Sequence, residues 1–324
     1  MRLLVLGGTV FLSRAVAEAA LARGHDVTTV SRGTSGRPPS GARHVTADRA
    51  APLPRELTQT AFDAVVDVSS RPSHVRSALE RLSHAHWVYV SSVSVYADDA
   101  TPGGGPGILP LHRPLWDDSD DMADYGPLKA GCEQLVAEAA ASHAVVRPGL
   151  IVGPGDRSGR FAYWVDRLRH AADGEVVLAP GNPHDLVQFV DVRDLGAWIA
   201  LLAERSTTGV RDAISPPLTI GDVLDQVAAG CGARPRWRWA TDEQLRGLGI
   251  RPWMGPRSLP LGLPRPDYDG MQTHLPAPAR EAGLRIRPVA DTARDTRAWL
   301  DGTPHAAITG LTADEEREAL ASLG

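Results

Sequence analysis

The chain has 324 residues, of which 34 are basic and 39 acidic, for a formal net charge of −5. That balance offers no cationic footprint for a polyanion, so no nucleic-acid partner is expected and a small-molecule substrate is favoured. With 43% hydrophobic and 23% charged residues and no run of eighteen apolar positions, the composition is that of a folded protein with no expected membrane contact.

Leu3 to Leu6 is a short apolar run ending in Gly7 and Gly8, and from Phe11 to Arg23 apolar positions follow helical spacing until Gly24 stops them. Arg2 ahead of this run imitates a secretory leader, but the two glycines break it early and no small-residue cleavage site follows, so it reads as a buried first strand. Further strand-like runs lie at Val27 to Val30, Arg43 to Thr46, Ala64 to Val68, Trp87 to Val90 and Ala144 to Val146. Helices are expected at Pro72 to Ser83 and Pro127 to Ser142, each opening on a proline that a first turn tolerates. Continuous apolar strands alternating with helices predict an α/β fold built on a doubly wound parallel sheet.

The long connection from Ala97 to Asp124 holds three consecutive glycines and seven aspartates, and reads equally as a functional lid or a disordered insert. After Val146 proline and glycine become denser, with helices expected at Arg160 to Ala171, Val192 to Glu204 and Ile220 to Ala229 and short strands at Glu175 to Leu178 and Val187 to Phe189. Arg251 to Pro278 is proline-rich and is expected to wrap the surface, and a last helix opens on the capping-box spacing Thr312…Glu315. A division into residues 1–150 and a smaller C-terminal α+β region, 151–324, follows, with some elements of the second part free to return to the sheet. Cys132 and Cys231 stand far apart with no metal-ligand spacing, which fits a reducing cytoplasm and no metal.

Three constellations carry chemistry. Gly7-Gly8-Thr9-Val10-Phe11-Leu12-Ser13 sits between a strand and a helix, where glycines let a pyrophosphate approach the backbone at a helix N-terminus. Only the first glycine of the G-x-x-G-x-x-G spacing is present, and a plain strand-to-helix turn would read the same way. Tyr125-Gly126-Pro127-Leu128-Lys129 places a phenol and an ammonium four apart on one helix face. A phenol titrating near pH ~10 needs a nearby cation to exchange protons at neutral pH. Of the 34 basic residues 33 are arginine, and Lys129 is the single lysine; with five tyrosines, chance would put it four places after one in five of 324 placements. A chain that uses arginine everywhere else keeps lysine where a compact ammonium has a task. Ser91-Ser92-Val93-Ser94-Val95-Tyr96 follows a strand, at the carboxyl end where open α/β sheets bind ligands, although serines there also serve turns.

With Arg147-Pro148-Gly149-Leu150-Ile151-Val152-Gly153-Pro154 and Phe189-Val190-Asp191-Val192-Arg193-Asp194, these motifs resemble the extended or atypical short-chain dehydrogenases/reductases, the NAD-dependent epimerase/dehydratase family. The resemblance runs to about Ala200 and more loosely beyond. It implies a Rossmann fold with the dinucleotide on residues 1–150 and the substrate on residues 151–324. It further implies catalysis by Ser92, with Tyr125 as general acid/base and Lys129 holding the nicotinamide ribose and activating the tyrosine. The cofactor would contact Gly7, Thr9, Val10, Phe11, Leu12, Ser31, Arg32, Asp48, Val68, Ser69, Lys129, Pro148 and Gly149.

Three departures narrow the implication. Ser31 and Arg32 stand where relatives that bind NAD often carry an acid, which favours NADP(H) over NAD(H), although Arg32 is one of many solvated arginines. Leu150 and Val187 replace the asparagine and arginine typical of nucleotide-sugar enzymes, with His184 or Arg160 as substitutes for one of them. Val93 and Ser94 replace the Asp-Glu pair of dehydratases. A reductase or dehydrogenase of a small carbonyl or alcohol is the leading expectation. An epimerase with tightly held NAD and a non-catalytic dinucleotide-sensing or RNA-associated protein remain as alternatives. Relatives often dimerise, so a homodimer stays open, and Trp164, Trp237, Trp239 and Trp253 either line an apolar cleft or pack.

Overall fold

The computed structural model describes all 324 residues. Its first half runs β1 (Arg2–Leu6), α1 (Phe11–Ala22), β2 (Asp26–Ser31), β3 (Arg43–Thr46), α2 (Arg55–Thr58), β4 (Ala64–Asp67), α3 (Pro72–Leu82), β5 (His86–Val90), α4 (Tyr125–Ala139) and β6 (Ser142–Pro148). There follow β7 (Leu150–Val152), α5 (Arg160–Arg169), β8 (Val176–Pro180), β9 (Leu186–Val187), β10 (Phe189–Asp191), α6 (Val192–Glu204), β11 (Gly209–Ala213), β12 (Leu218–Thr219) and α7 (Ile220–Cys231). The chain closes with β13 (Arg236–Ala240), α8 (Asp242–Gly247), β14 (Arg251–Trp253), β15 (Ser258–Pro260), α9 (Ala277–Glu281), α10 (Val289–Asp301) and α11 (Ala313–Leu323).

Seven strands form one parallel sheet in the order β11-β6-β5-β4-β1-β2-β3, a doubly wound Rossmann sheet. Both of its faces are covered, as the runs of apolar residues require. Leu3 and Val5 join the core under α1 and α6, while Leu4 and Leu6 join the opposite core under α3 and α4. Helices α1 and α6 pack closely because Gly196 lies against Ala15, where a Cβ would meet backbone at 2.8 Å. The strand order reverses between β1 and β4, which opens a crevice at their carboxyl ends.

The C-terminal part has a core of its own, in which α5, α7 and α10 pack on the parallel pair β8 and β13. Trp164, Trp237 and Trp239 stack in or against this core, and of the four tryptophans Trp253 lines the cavity that holds Ser92 and Tyr125, while Trp239 borders a separate shallow pocket. Strand β11 and helix α6, both past residue 150, belong to the large sheet and its cover.

Several segments differ from their sequence-based expectation. Helix α4 begins at Tyr125, two residues before Pro127, because the third position of a helix still has no intrahelical acceptor for its N–H. The strand expected at 187–189 is two strands, since the Gln188 backbone N–H turns aside to the Gln272 side chain at 2.7 Å. The proline-rich segment 251–278 is no surface wrap: Leu259, Leu261, Gln272 and His274 are buried, and Trp164 Nε1 donates to the Pro260 carbonyl at 3.0 Å. The connection 97–124 is an ordered strap. It is pinned by Leu275 N–H to Gly104 O (3.0 Å) and by Asp118, which accepts from Ser73 N and Oγ at the start of α3. Gly131 of α4 allows the strap's close approach, because a Cβ there would stand 2.2 Å from Leu115 O.

Candidate active site

The turn after β1 is shaped by its glycines. Gly7 and Gly8 have φ of +131° and +96°, and a Cβ on Gly8 would lie 2.4 Å from the Thr29 side chain of β2. In place of the second glycine, Val10 is extended with φ −136°, and the left-handed backbone passes to Phe11 at φ +40°. Ser13, in the third place, donates its hydroxyl to Val10 O at 2.9 Å. No side chain caps α1, so its first N–H groups remain open beside Thr9 and Leu12, at the crevice between β1 and β4. These features fit a dinucleotide: a backbone cradle too tight for a Cβ, leading to uncapped donors that favour an anion.

Beyond β2 the loop lies over this turn. Gly36 approaches Thr9 O so closely that a Cβ would stand 2.4 Å from it, and Arg14 donates to Arg37 O at 2.8 Å. Ser31 Oγ accepts from Gly33 N at 3.2 Å, and Arg32 is exposed with no carboxylate within 4.0 Å. Asp48 is exposed after β3 and accepts from Ala50 N at 3.0 Å. Val68 and Ser69 leave the end of β4 half-buried, with Ser69 N–H held by Asp67 at 2.9 Å.

Ser92 and Tyr125 line one cavity of about 590 Å³, together with Phe11, Gly149, Leu150, Asp156, Arg160 and Trp253. Ser92 caps the short turn Val93–Val95, accepting from Ser94 N and donating to Ser94 Oγ, both at 3.1 Å. Tyr125 opens α4 with its hydroxyl bonded to no protein group, while Pro148 ends β6 just ahead of Gly149. Lys129, one turn on, is 3% exposed and lies beneath the cavity rather than on its wall. Its ammonium donates to the carbonyls of Val68 (3.2 Å), Ser69 (3.0 Å) and Val90 (2.7 Å), and stands 6.0 Å from the centre of the Tyr125 ring. The structure therefore gathers the serine, tyrosine and lysine motifs at the crevice, with Val68 and Ser69 tied to the lysine directly.

The sequence profile described as the NAD dependent epimerase/dehydratase family matches residues 3–214, well over half of the chain. The chain belongs to the NAD dependent epimerase/dehydratase family. A curated relative, the epimerase family protein SDR39U1 of Bos taurus, is 26% identical over 241 residues, covering 67% of this chain and 75% of the relative. Among solved structures, a UDP-glucose 4-epimerase superposes with a TM-score of 0.67 at 13% identity, covering 95% of this chain and 99% of the other. A putative epimerase from Burkholderia cenocepacia gives 0.65 at 19% identity with 92% and 97% covered. A UDP-glucuronic acid 4-epimerase from Bacillus cereus, solved with NAD, gives 0.64 at 14% with 93% and 99%. At these identities the superpositions speak for the fold, and membership of the epimerase/dehydratase family makes the chain an NAD-dependent enzyme.

Around the motifs of the epimerase/dehydratase family lie polar groups that the sequence did not single out. Arg49 grips the fully buried Asp67 of β4 through two bonds of 2.7 and 2.8 Å. Behind the cavity, Arg147 donates to Glu133 (2.9 and 2.6 Å) and to the Tyr96 hydroxyl (2.9 Å), which donates on to Asp212 at 2.8 Å. Asp212 also meets His274 Nδ1 at 2.8 Å, so the network joins α4, β6, β11 and segment 251–278. Burial and Asp212 push the Tyr96 phenol well above its usual range, which keeps it a neutral donor. Tyr96 and Arg147 belong to the family motifs, a signal without an assigned role; Asp212 and His274 carried none. His184, a candidate anchor, is exposed and stands apart from the cavity, whereas Arg160 lines it. Leu150 lines the cavity, whereas Val187 is buried in the C-terminal core.

Proposed function

We propose that this protein is an oxidoreductase that moves a hydride between a nicotinamide cofactor, NADP(H) in preference to NAD(H), and the carbonyl or alcohol carbon of a small substrate. The observation that carries the reading is the meeting of Ser92 and Tyr125 on one cavity wall with Lys129 held directly beneath them. The glycine turn Gly7–Leu12, the end of β2 at Ser31 and Arg32, Asp48, and the Val68–Ser69 and Pro148–Gly149 strand ends would hold the dinucleotide. Residues 1–150 then serve mainly the cofactor and residues 151–324 mainly the substrate.

When bound, the nicotinamide supplies or accepts the hydride. In the direction of reduction, Tyr125 delivers its hydroxyl proton to the substrate oxygen as that oxygen gains charge, and Ser92 Oγ turns its hydrogen bond from Ser94 Oγ to the same atom. Lys129 faces Tyr125 from the buried side, its ammonium 6.0 Å from the ring centre. Oxidation reverses each transfer, with Tyr125 taking the alcohol proton. Serine and arginine at the end of β2, with neither bearing an acid, support a cofactor carrying a 2′-phosphate. Two buried free thiols, Cys132 and Cys231, are consistent with work in the reducing cytoplasm.

A second reading, transient oxidation and re-reduction of a sugar by an epimerase that keeps its NAD, is favoured by fold neighbours named as UDP-sugar epimerases. Apolar Leu150 on the cavity wall weighs against it. Fluorescence titration with NADPH and NADH tests both readings, which fall together if neither nucleotide binds. Cofactor that survives purification and dialysis would favour the epimerase; apo protein that binds NADPH more tightly than NADH supports the oxidoreductase. In an active preparation, Tyr125→Phe should bind cofactor normally and lose turnover by roughly 10²-fold or more.

A further inference from the structure

Arg160 is the first residue of α5 and follows Gly159, whose left-handed backbone (φ +68°) is packed where a Cβ would meet Thr309 N at 2.7 Å. Its guanidinium carbon lies 4.5 Å from the centre of the Trp253 ring, and its Nε donates to Ser158 Oγ at 3.2 Å. Its two terminal nitrogens have no protein acceptor, and no carboxylate oxygen lies within 4.0 Å of them. Arg238 and Arg297, equally half-buried, give their terminal nitrogens to backbone carbonyls, and several other arginines are answered by carboxylates. Arg147 is paired with Glu133, Arg167 with Glu175 and Glu316, and Arg193 with Asp191. Those carboxylates hold their guanidinium groups firmly charged, whereas burial presses Arg160 the other way and only Asp156, at longer range, opposes it.

We infer that Arg160, stacked on Trp253, is the substrate's anchor, and that the substrate carries one oxyanion group, a carboxylate or a phosphate monoester, on an apolar body. The inference rests on the oxidoreductase reading of the same cavity and adds the class of compound that enters it. A guanidinium stacked on an indole keeps its plane fixed and its outer edge free, which is the geometry for two parallel bonds to an oxyanion. Burial makes an unanswered charge costly, so an anion arriving there regains what the folded chain leaves unpaired.

Trp253 adds an independent observation. It holds φ +71°, a left-handed conformation uncommon for a bulky residue, within the ribbon of β14 and β15 and with its N–H donating to Gly262 O at 3.1 Å. Strain of this kind is kept where the surrounding structure has a use for the side chain's position, and here that position is over Arg160. Phe11, Leu150, Met254 and Met271 supply the apolar lining for the rest of the substrate. Two acids share the cavity and neither bonds the guanidinium. Asp156 turns both oxygens to Ser158 at 2.8 Å, and burial pushes Asp99 towards its neutral form.

The test titrates the protein, with and without saturating NADPH, with benzoate, phenyl phosphate and neutral benzamide, followed by calorimetry. At least one anion should bind about tenfold or more tightly than benzamide, and the one that does identifies the group as carboxylate or phosphate. Arg160→Leu should bring that anion down to the benzamide affinity, Arg160→Lys should recover part of the difference, and Trp253→Leu should weaken the anion several-fold. An NADPH affinity unchanged in each variant certifies its fold. The proposal is overturned if neither anion outbinds benzamide in the unmodified protein, or if the preference survives Arg160→Leu. Failure of the oxidoreductase reading would appear separately, as absence of NADPH binding.

Discussion

The ammonium of Lys129 lies 2.7 Å from the carbonyl oxygen of Val90, the last residue of β5, and its other donors reach the carbonyls of Val68 and Ser69 after β4. Three donors meet three acceptors, with no carboxylate among them. The lysine therefore ties α4 to two strand ends at the crevice, beneath Tyr125. A flat guanidinium cannot converge on three carbonyls from one point. Lys129→Arg is accordingly expected to fold and to lose at least about tenfold in kcat/KM, or ~1.4 kcal/mol of barrier. Unchanged steady-state kinetics with NADPH would remove the lysine from the mechanism.

Arg32 stands exposed at the end of β2, free of any acid partner. If it receives the 2′-phosphate, removing it should weaken one nucleotide and spare the other. Arg32→Ala is expected to raise the Kd of NADPH by about tenfold and to change that of NADH by no more than about twofold, since a charge-assisted bond to phosphate is lost only in the first. Equal weakening of both nucleotides, measured by fluorescence, would mean that Arg32 does not discriminate.

Arg147 and Glu133 form a buried pair through two parallel bonds, and the third donor of Arg147 orients Tyr96, which lines the cavity. Breaking such a pair from one side strands the other charge, at a cost of about 3–5 kcal/mol, whereas removing both ends costs less than the sum. Glu133→Leu and Arg147→Met should each destabilise the fold by about that amount, and the double variant by less than the two together. Urea unfolding of the three variants decides it; strictly additive losses would argue against direct coupling.

What sequence reading captured, and what it missed, follows from the range of the interactions. Strands β1, β2, β4, β5 and β6 are visible because they are buried on both faces, whereas the edge strand β11, exposed at Gly209 and Val210, was missed; α6 begins at the expected Val192, where Asp191 caps it through a local bond to Arg193 N, and ends at the expected Glu204. Tyr125 and Lys129 could be singled out because their motif is compact and the lysine stands alone in an arginine-rich chain, while Ser92 was chosen among its neighbours by the family resemblance. By contrast, Tyr96 reaches Asp212 across 116 residues and Asp212 reaches His274 across 62 more, distances at which no periodicity carries a signal. Proline density suggested surface for 251–278, yet Leu259 and Leu261 bury there, and Trp253 comes over Arg160 from 93 positions away. The connection 97–124 read equally as a lid or a disordered insert for the same reason: its partners in α3, α4 and segment 270–275 lie elsewhere in the chain.

His86 opens β5 with Nδ1 2.8 Å from Ser142 Oγ, while its Nε2 is buried without a partner. Burial, and secondarily the neighbouring His143, lowers its pKa from the usual 6.5; burial and then Arg49 do the same to His74. In the unfolded chain both rings take a proton near pH ~6.5, whereas the folded protein resists it. Below that pH the unfolded state binds more protons, so stability falls as the solution is acidified from pH ~7 towards ~5, each histidine adding a slope of at most about 1.4 kcal/mol per pH unit. His86→Gln, which retains a group able to bond Ser142, should flatten this slope in thermal unfolding measured across that range. A slope identical to that of the unmodified protein would show that His86 is protonated as readily folded as unfolded.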